Sequence, residues 1–208
     1  MKPLITTILL LLYALLLTPT SMLGQKQKDA QSDTSSAGAH VFVLPTNTGH
    51  LEIGAEVQYC EDKEKTLTFD AVAAPAMASR WKSYGKQTLS FGFKRSAYWL
   101  RFALRNPSAQ QNDWLLEIPF PTLDSIELYS PHTDGHYTHY VMGDYLPFSR
   151  REVQYRTFIK RLDVADSQPH VYYLKVTTTS TTVIPIILHR NEEFIAYSNH
   201  WQLFYGLL

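Results

Sequence analysis

A cluster of histidines is the first group of residues in this chain whose type and spacing could support chemistry. His132, His136 and His139 lie close together, and the last two would flank a turn. Residues three apart in a β-strand face opposite ways, so His136 and His139 could not readily bind the same metal ion. The spacing therefore predicts a solvated hairpin, and we expect neither a metal site nor a cofactor.

Catalytic motifs are the next candidates. The sequence has no Gly-x-Ser-x-Gly motif, no HExxH motif and no phosphate-binding glycine loop. A glycosidase needs two carboxylates across a cleft, and alternation along a strand cannot by itself show such a pair. We therefore expect a protein that is not an enzyme. Four carboxylates lie near one another in sequence, namely Asp113, Glu117, Asp124 and Glu127.

Three arginines accompany a predicted loop. Arg150 and Arg151 follow a Pro-Phe-Ser turn, and Arg156 lies on the strand that comes next. An arginine beside a loop can bind a carboxylate through two parallel hydrogen bonds. Alternatively, one of these arginines ties down the loop through backbone carbonyls or Asp144. Arg151 is the one that we take as a candidate ligand-binding residue.

Short β-strands must position these side chains, because alternating apolar runs recur along the chain and helical periodicity is nearly absent. An alanine-rich segment at residues 71–79 could hold one helical turn, which Pro75 limits. The strands are predicted at residues 41–44, 51–53, 55–59, 88–93, 98–106, 114–118, 125–129, 136–142, 154–162, 171–179 and 182–189. The fold class is therefore all-β. We expect residues 41–190 to form one antiparallel β-sandwich or jelly roll of eight or more strands.

The outward faces of these strands carry the candidate ligand site. If Leu100, Phe102 and Leu104 are core residues, Trp99 and Arg101 point away from the core. Aromatic rings that stack on sugars, beside charged groups that bind hydroxyls or carboxylates, suit a glycan-binding surface. Alternatively, these are ordinary outward residues, since strands favour aromatic side chains anyway. The candidate ligand-binding residues are Trp99, Arg101, Glu117, Tyr173, Lys175 and Arg151.

The two ends of the chain indicate its compartment. Lys2, an apolar run at residues 4–17 and Gly24 predict a signal peptide over residues 1–24, with an uncleaved anchor as the alternative. Residues 25–40 are polar and predict a flexible linker. Residues 191–208 become aromatic and apolar, which predicts a juxtamembrane segment and the start of a first transmembrane helix. A terminal strand or helix that packs on the sandwich is the alternative.

Composition excludes some partners and constraints. The 19 basic and 19 acidic residues cancel and are scattered, so we expect no nucleic-acid partner. Cys60 is the single cysteine, so an internal disulfide and a thiolate metal cluster are both excluded. The fold must therefore depend on its apolar core, for which the many tyrosines, phenylalanines and tryptophans provide material.

Three sequence blocks carry a family resemblance. They are FKRSAYWLRFALRNPS at 93–108, DWLLEIPFPTLDSIELYSP at 113–131 and GDYLPFSRREVQYRTF at 143–158. In this order they resemble the second type of extracellular domain of bacterial seven-transmembrane receptors with diverse intracellular signalling modules. The resemblance covers about residues 41–190. It implies a carbohydrate-binding jelly roll, followed by seven membrane helices and a cyclase, kinase or phosphatase output.

Together these features predict the periplasmic, ligand-sensing domain of an inner-membrane receptor. The expected partners are a small polar ligand such as a carbohydrate, the membrane, and a second copy of the chain. A ligand can signal only if it binds two receptor states unequally, for example two arrangements of a homodimer. The alternative function is a free secreted module that binds carbohydrate or protein.

Overall fold

The computed structural model describes residues 33–34, 38–108, 112–164 and 167–206. The predicted signal peptide and residues 25–32 and 35–37 of the predicted linker lie outside these ranges, as do residues 207–208. The helices are the α-helices Phe69–Ala73 and Asn191–Gly206 and the 3-10 helices Gly54–Glu56, Pro75–Arg80 and Phe148–Arg150. The strands are β1 (Asp33–Thr34), β2 (His40–Val43), β3 (His50–Glu52), β4 (Gln58–Asp62), β5 (Lys82–Ser83), β6 (Thr88–Gly92), β7 (Ala97–Arg105), β8 (Asp113–Ile118), β9 (Ser125–Pro131), β10 (Tyr137–Met142), β11 (Phe158–Asp163), β12 (His170–Thr177), β13 (Thr182–Pro185) and β14 (Ile187–Arg190).

Two main sheets form the domain. The large sheet has the strand order β1-β2-β7-β12-β9-β10, with β4 also paired to β7 and β5 paired to β4. The four-stranded sheet has the order β11-β8-β14-β3, and β13 pairs with β6 in a small third sheet. The described pairings are antiparallel except that of β2 with β7, which is parallel. Strands β10 and β11 are therefore edge strands of the two main sheets.

The main core lies between the two main sheets, because each contributes alternate residues to it. Leu100 and Leu174, which are partners in the register of β7 and β12, come from the large sheet. Trp114, Leu116 and Leu188 come from the four-stranded sheet. Burying each such side chain contributes about 1.5–3 kcal/mol. The predicted fold class, an antiparallel β-sandwich of eight or more strands, is confirmed.

Three predicted strands begin more than two residues away from the observed start or are divided, for local reasons. The strand predicted at 55–59 is replaced by the 3-10 helix Gly54–Glu56 and then β4. The strand predicted at 154–162 begins only at Phe158, because Arg151 holds the preceding residues in a turn through the carbonyls of Tyr155 and Thr157. The strand predicted at 182–189 is interrupted at Ile186, so that β13 and β14 enter different sheets.

A second core covers the outer face of the large sheet. The covering segment, residues 67–81, contains the predicted helical turn, with the Thr68 hydroxyl accepting a hydrogen bond from the backbone N–H of Ala71. Phe69 stacks on Tyr129, with 4.5 Å between the ring centroids and 7° between the ring planes. The segment buries an apolar patch of the sheet. This second core comprises Cys60, Val72, Met77, Trp81, Trp99 and Tyr173.

The C-terminal helix, Asn191–Gly206, packs on the outer face of the four-stranded sheet. Phe194 is buried there against Leu115 and Ile159. The helix begins at Asn191, at the start of the predicted juxtamembrane segment. Among the described residues, none of the helices has both the length and the apolar character needed to cross a membrane. The first transmembrane helix stays a prediction.

Replacement of Trp99 by alanine tests the second core. Because Trp99 is fully buried, we expect Trp99→Ala to lower the free energy of unfolding by about 3–5 kcal/mol. In a domain of this size the melting temperature should fall by roughly 6–20 °C. Thermal denaturation monitored by circular dichroism measures the change. Phe93→Ala is the matched control, since Phe93 is 77% exposed, and it should leave the melting temperature nearly unchanged. Equal melting temperatures of the two variants would contradict the burial of Trp99.

Candidate ligand pocket between the sheet edges

The large sheet brings four of the predicted site residues together on its outer face. The register of β7 with β12 places Tyr173 opposite Arg101 and Lys175 opposite Trp99. Their direction, away from the main core, follows from the alternation of each strand. The alternation of the strand residues therefore predicts the correct side of the sheet for these four side chains.

Their exposure, however, differs from the prediction. Trp99, Arg101 and Tyr173 are all buried by the covering segment. The guanidinium of Arg101 lies 4.6 Å from the centroid of the Trp81 ring, and its Nε donates a hydrogen bond to Gln58 Oε1 at 2.8 Å. The interpretation of Trp99 as a ring open to solvent is wrong, because residues 67–81 fold over it. Alternation shows the direction of a side chain but not what covers it.

Lys175 is the member of this group that stays partly exposed. Its Nζ lies 3.6 Å from Glu127 and 5.5 Å from the centroid of the Trp99 ring. Glu127 also lies within 3.1 Å of His139 Nε2. Lys175 therefore belongs to a small polar group at the border of the covering segment.

Glu117 lies on a different surface from the other predicted residues. It belongs to β8 of the four-stranded sheet and points outward beneath the C-terminal helix, where it is buried. Its carboxylate accepts a hydrogen bond from the Thr157 hydroxyl at 2.7 Å and lies 2.7 Å from His189 Nε2. The prediction of one face shared by Trp99 and Glu117 is wrong, because the sandwich has two outer faces and each residue lies on a different one.

Arg151 holds the loop before β11 in place. Its Nη1 donates hydrogen bonds to the carbonyls of Tyr155, at 2.6 Å, and Thr157, at 3.4 Å. Its guanidinium also lies over the rings of Phe148 and Phe158, at 5.0 and 4.7 Å from their centroids. The alternative in which an arginine ties down the loop is confirmed. The same side chain lines the pocket described next.

A pocket of about 100 Å³ opens where the two edge strands β10 and β11 meet. The connection between these strands, residues 143–157, folds across the gap and forms one wall. Tyr140 and Met142 of β10 pack against the main core from the other side. The pocket thus has an apolar floor and a charged rim. Its lining residues are Tyr140, Val141, Met142, Gly143, Leu146, Arg150, Arg151, Glu152, Phe158, Ile159 and Lys160.

Lys160 is a charged pocket residue that was not predicted from the sequence. It occupies an inward position of β11, between the core residues Phe158 and Leu162. Its side chain is 12% exposed, its Nζ lies 3.8 Å from the centroid of the Tyr140 ring, and it forms an ion pair with Glu152. A lysine in the apolar register of a strand was the signal, since a buried ammonium requires a partner.

The pocket is electropositive. Arg150, Arg151 and Lys160 contribute three cations, whereas Glu152 contributes one carboxylate. That carboxylate is also shared with Arg161, whose backbone N–H and Nε lie 3.4 and 4.0 Å from Glu152 Oε1. The arrangement therefore suits a ligand with acceptor oxygens.

Exposed aromatic side chains lie on the loop that forms the pocket wall. Tyr145 is 70% exposed and Phe148 is 52% exposed, and both belong to the loop that forms the pocket wall. Val141, which lines the pocket, is also exposed. These side chains are solvent-accessible in the way that was predicted for Trp99.

Asp124 anchors the beginning of the pocket loop. Its carbonyl accepts the backbone N–H of Tyr145 at 3.2 Å, and its carboxylate accepts the backbone N–H of Thr179 at 2.6 Å. A Cβ on Gly143 would lie 2.2 Å from the Asp124 carbonyl oxygen, so only glycine permits this approach. Burial would by itself raise the pKa of the Asp124 carboxyl, but hydrogen bonds from Thr179, Tyr145 and Thr178 outweigh it and lower the pKa.

The predicted hairpin is present, but His132 and His136 flank its turn, whereas His139, which was predicted to flank it, lies within β10. The backbone N–H of His132 donates to the carbonyl of His136 at 2.8 Å, which closes the turn before β10. His139 is directed instead towards Glu127. Within the described ranges, no three histidine, cysteine or carboxylate side chains are placed so that they could hold a metal ion.

Comparison with known proteins connects this architecture to a receptor family. A family model described as 7TMR-DISM extracellular 2 matches residues 54–190. The chain belongs to this family. This match confirms the resemblance inferred from the sequence blocks. It also confirms the predicted localisation, because the family consists of extracellular, periplasmic domains of membrane receptors.

A further comparison concerns solved structures. A carbohydrate-binding module of the β-sandwich superfamily, described for its promiscuous specificity, has 11% sequence identity and a TM-score of 0.29. The match covers 69% of this chain and 53% of the other chain. No curated protein gives a significant match.

Replacement of Asp124 by asparagine tests the anchor of the pocket loop in this receptor domain. Its lowered pKa means that the carboxylate stabilises the fold above the pKa of the unfolded state, about 3.9, and that this contribution is lost as the pH falls through the folded-state pKa. At pH 7 we expect Asp124→Asn to cost about 1.5–3 kcal/mol, as for hydrogen bonds to a charged group. The difference from the unmodified protein should shrink below about pH 4.

Chemical denaturation at pH 7 and at acidic pH measures this difference. Asp144→Asn is the matched control, because Asp144 lies on the same loop and is exposed. It should leave the free energy of unfolding within about 0.5 kcal/mol at pH 7. A cost for Asp124→Asn that does not change with pH would contradict the ionic contribution.

Proposed function

We propose that the domain is the ligand sensor of a bacterial transmembrane receptor, and that it binds a carbohydrate or a similar small polar molecule in the pocket between β10 and β11. The observation that carries this proposal is the combination of a charged pocket with exposed aromatic rings on its bordering loop. Membership of an extracellular receptor-domain family supports the sensor role. Of the six residues predicted from the sequence, the proposal keeps Arg151 in the site.

The pocket has the chemistry that a sugar requires. Tyr145 and Phe148 offer ring faces to C–H groups, and the charged rim offers partners to hydroxyl groups. A volume of about 100 Å³ is below the roughly 300–1,000 Å³ of pockets that enclose a whole ligand. Part of the ligand therefore lies outside, against the exposed rings. Such a site gives micromolar to millimolar affinity, about 4–8 kcal/mol.

A chain of contacts joins the pocket to the C-terminal helix. Arg151 lines the pocket and donates to the carbonyl of Thr157, whose hydroxyl donates to Glu117. Glu117 contacts His189, whose ring lies 5.6 Å from the ring of Phe194 on the helix. A ligand that moves Arg151 would thus alter contacts where the helix begins. We propose that two receptor states, for example two arrangements of a homodimer, differ in these contacts.

The positions of the carboxylates support a binding role without catalysis. Glu117 lies beneath the C-terminal helix on the four-stranded sheet, whereas Glu127 lies on the outer face of the large sheet beside Lys175. The two carboxylates are on opposite outer faces of the sandwich, so they cannot flank one glycosidic bond.

Removal of the exposed rings tests the ligand site. Tyr145→Ala and Phe148→Ala should each weaken glycan binding by roughly tenfold, corresponding to about 1.4 kcal/mol of lost stacking. Both variants should stay folded with only a small drop in melting temperature, because both side chains are largely exposed although Tyr145 donates a hydrogen bond to Asp124 and Phe148 contacts Arg151. A glycan array identifies a ligand, and titration calorimetry then measures its dissociation constant.

Phe93→Ala is the control, because its ring is exposed outside the pocket loop. It should bind the same glycan with unchanged affinity. An array with no bound glycan, or a glycan whose affinity is unaffected by both loop variants, would contradict the proposed site.

Removal of Glu117 tests the contacts below the helix. Glu117→Ala breaks a buried interaction with His189 and should lower the free energy of unfolding by about 3–5 kcal/mol. It should also increase amide hydrogen exchange at residues 191–199. Glu56→Ala is the matched control, since Glu56 contacts His40 at 2.7 Å on the surface, where loss of a pair costs about 0–1 kcal/mol. Exchange that increases evenly over the domain, without preference for the helix, would contradict the link.

A further inference from the structure

We infer that the ligand of this pocket carries a carboxylate group, as a uronic acid does. This inference rests on the proposed function and specifies the class of ligand. It is based on the excess of cations in the pocket, on the partial burial of one of them, and on the availability of their hydrogen-bond donors.

Lys160 is placed to bind an anion. Its ammonium group lies in the gap between the two sheets, where water is largely excluded, and an interaction between charges is stronger there than at an open surface. The Tyr140 ring and Glu152 compensate for its desolvation. A third donor direction of the ammonium remains for a ligand oxygen, since an ammonium has three N–H bonds.

Glu152 can lose its ion pair with Lys160 when a ligand binds and still keep another interaction. Its side chain is partly exposed, and Arg161 offers both a backbone N–H and the Nε group within 4.0 Å. A ligand carboxylate that enters the pocket would share Lys160 or replace Glu152 there. Glu152 would then keep its interaction with Arg161.

Arg150 supplies a second donor to the same anion. It is the last residue of the 3-10 helix Phe148–Arg150 and lines the pocket. Among the described residues no carboxylate lies within ion-pair distance of its guanidinium, whereas Lys160 has Glu152. The planar guanidinium can bind a carboxylate through two parallel hydrogen bonds. The pocket volume is too small for a whole sugar. It suits the carboxylate of a sugar whose ring stacks outside the pocket, against the exposed aromatic side chains.

A matched pair of sugars tests the inference. Galacturonate and galactose differ only in a carboxylate in place of a hydroxymethyl group, and titration calorimetry measures both affinities. We expect galacturonate to bind at least about tenfold more tightly, by about 1.4 kcal/mol. Its affinity should fall as the salt concentration rises, because screening weakens charge attraction. Propionate is the third probe and tests whether a carboxylate alone is sufficient.

Two variants locate the effect. Lys160→Gln and Arg150→Gln should each reduce the preference for galacturonate over galactose to less than about threefold. Arg150 is exposed, so its variant keeps the test valid if Lys160→Gln fails to fold. Lys175→Gln is the matched control, because Lys175 is also a partly buried lysine paired with a glutamate and next to an aromatic ring. It should keep the full preference.

The outcomes separate this inference from the proposed function. Galactose binding as tightly as galacturonate would overturn the carboxylate inference and leave the carbohydrate site standing. Propionate binding as tightly as galacturonate would support the carboxylate inference and overturn the carbohydrate ligand. A preference for galacturonate that survives in both pocket variants would overturn the assignment to Lys160 and Arg150. Failure of all three probes to bind would overturn both proposals.

Discussion

The pairing of β7 with β12 is the constraint on which the rest of the structure depends. Its register places Leu100 beside Leu174 on the inner face and Trp99 beside Lys175 on the outer face. A shift of one residue would exchange the two faces completely. Both faces of this pair are packed, since the inner one meets the four-stranded sheet and much of the outer one meets the covering segment. The strands are therefore nearly as buried as those of a parallel sheet.

Coverage of both outer faces moves the candidate site to the edges. The covering segment closes one face and the C-terminal helix packs on the other, whereas β10 and β11 end their sheets side by side. The loop between these strands forms the pocket. Lys160 points inward there, and a charge so placed also discourages an edge strand from pairing with another chain. Its presence thus has a structural reason as well as the proposed binding role.

Glu117 and His189 form a buried polar contact beneath the start of the C-terminal helix, where the surrounding side chains are mostly apolar. Such pairs add little net stability, because desolvation opposes their attraction, but loss of one partner is costly. The helix is therefore sensitive to the position of a few polar atoms. This is a suitable property for the segment of a receptor domain that leads out of the sandwich.

The sequence by itself determined the fold class, the approximate positions of most strands and the direction of the side chains on β7 and β12. These follow from two-residue periodicity and turn residues, which are local. Only the tertiary structure decided that Trp99 is covered, that Glu117 lies on the other sheet and that Lys160 meets Tyr140. Each of these depends on which distant segments pack together. Periodicity tells which side of a strand a residue occupies, whereas the assembly of layers decides whether that side meets water, a helix or a ligand.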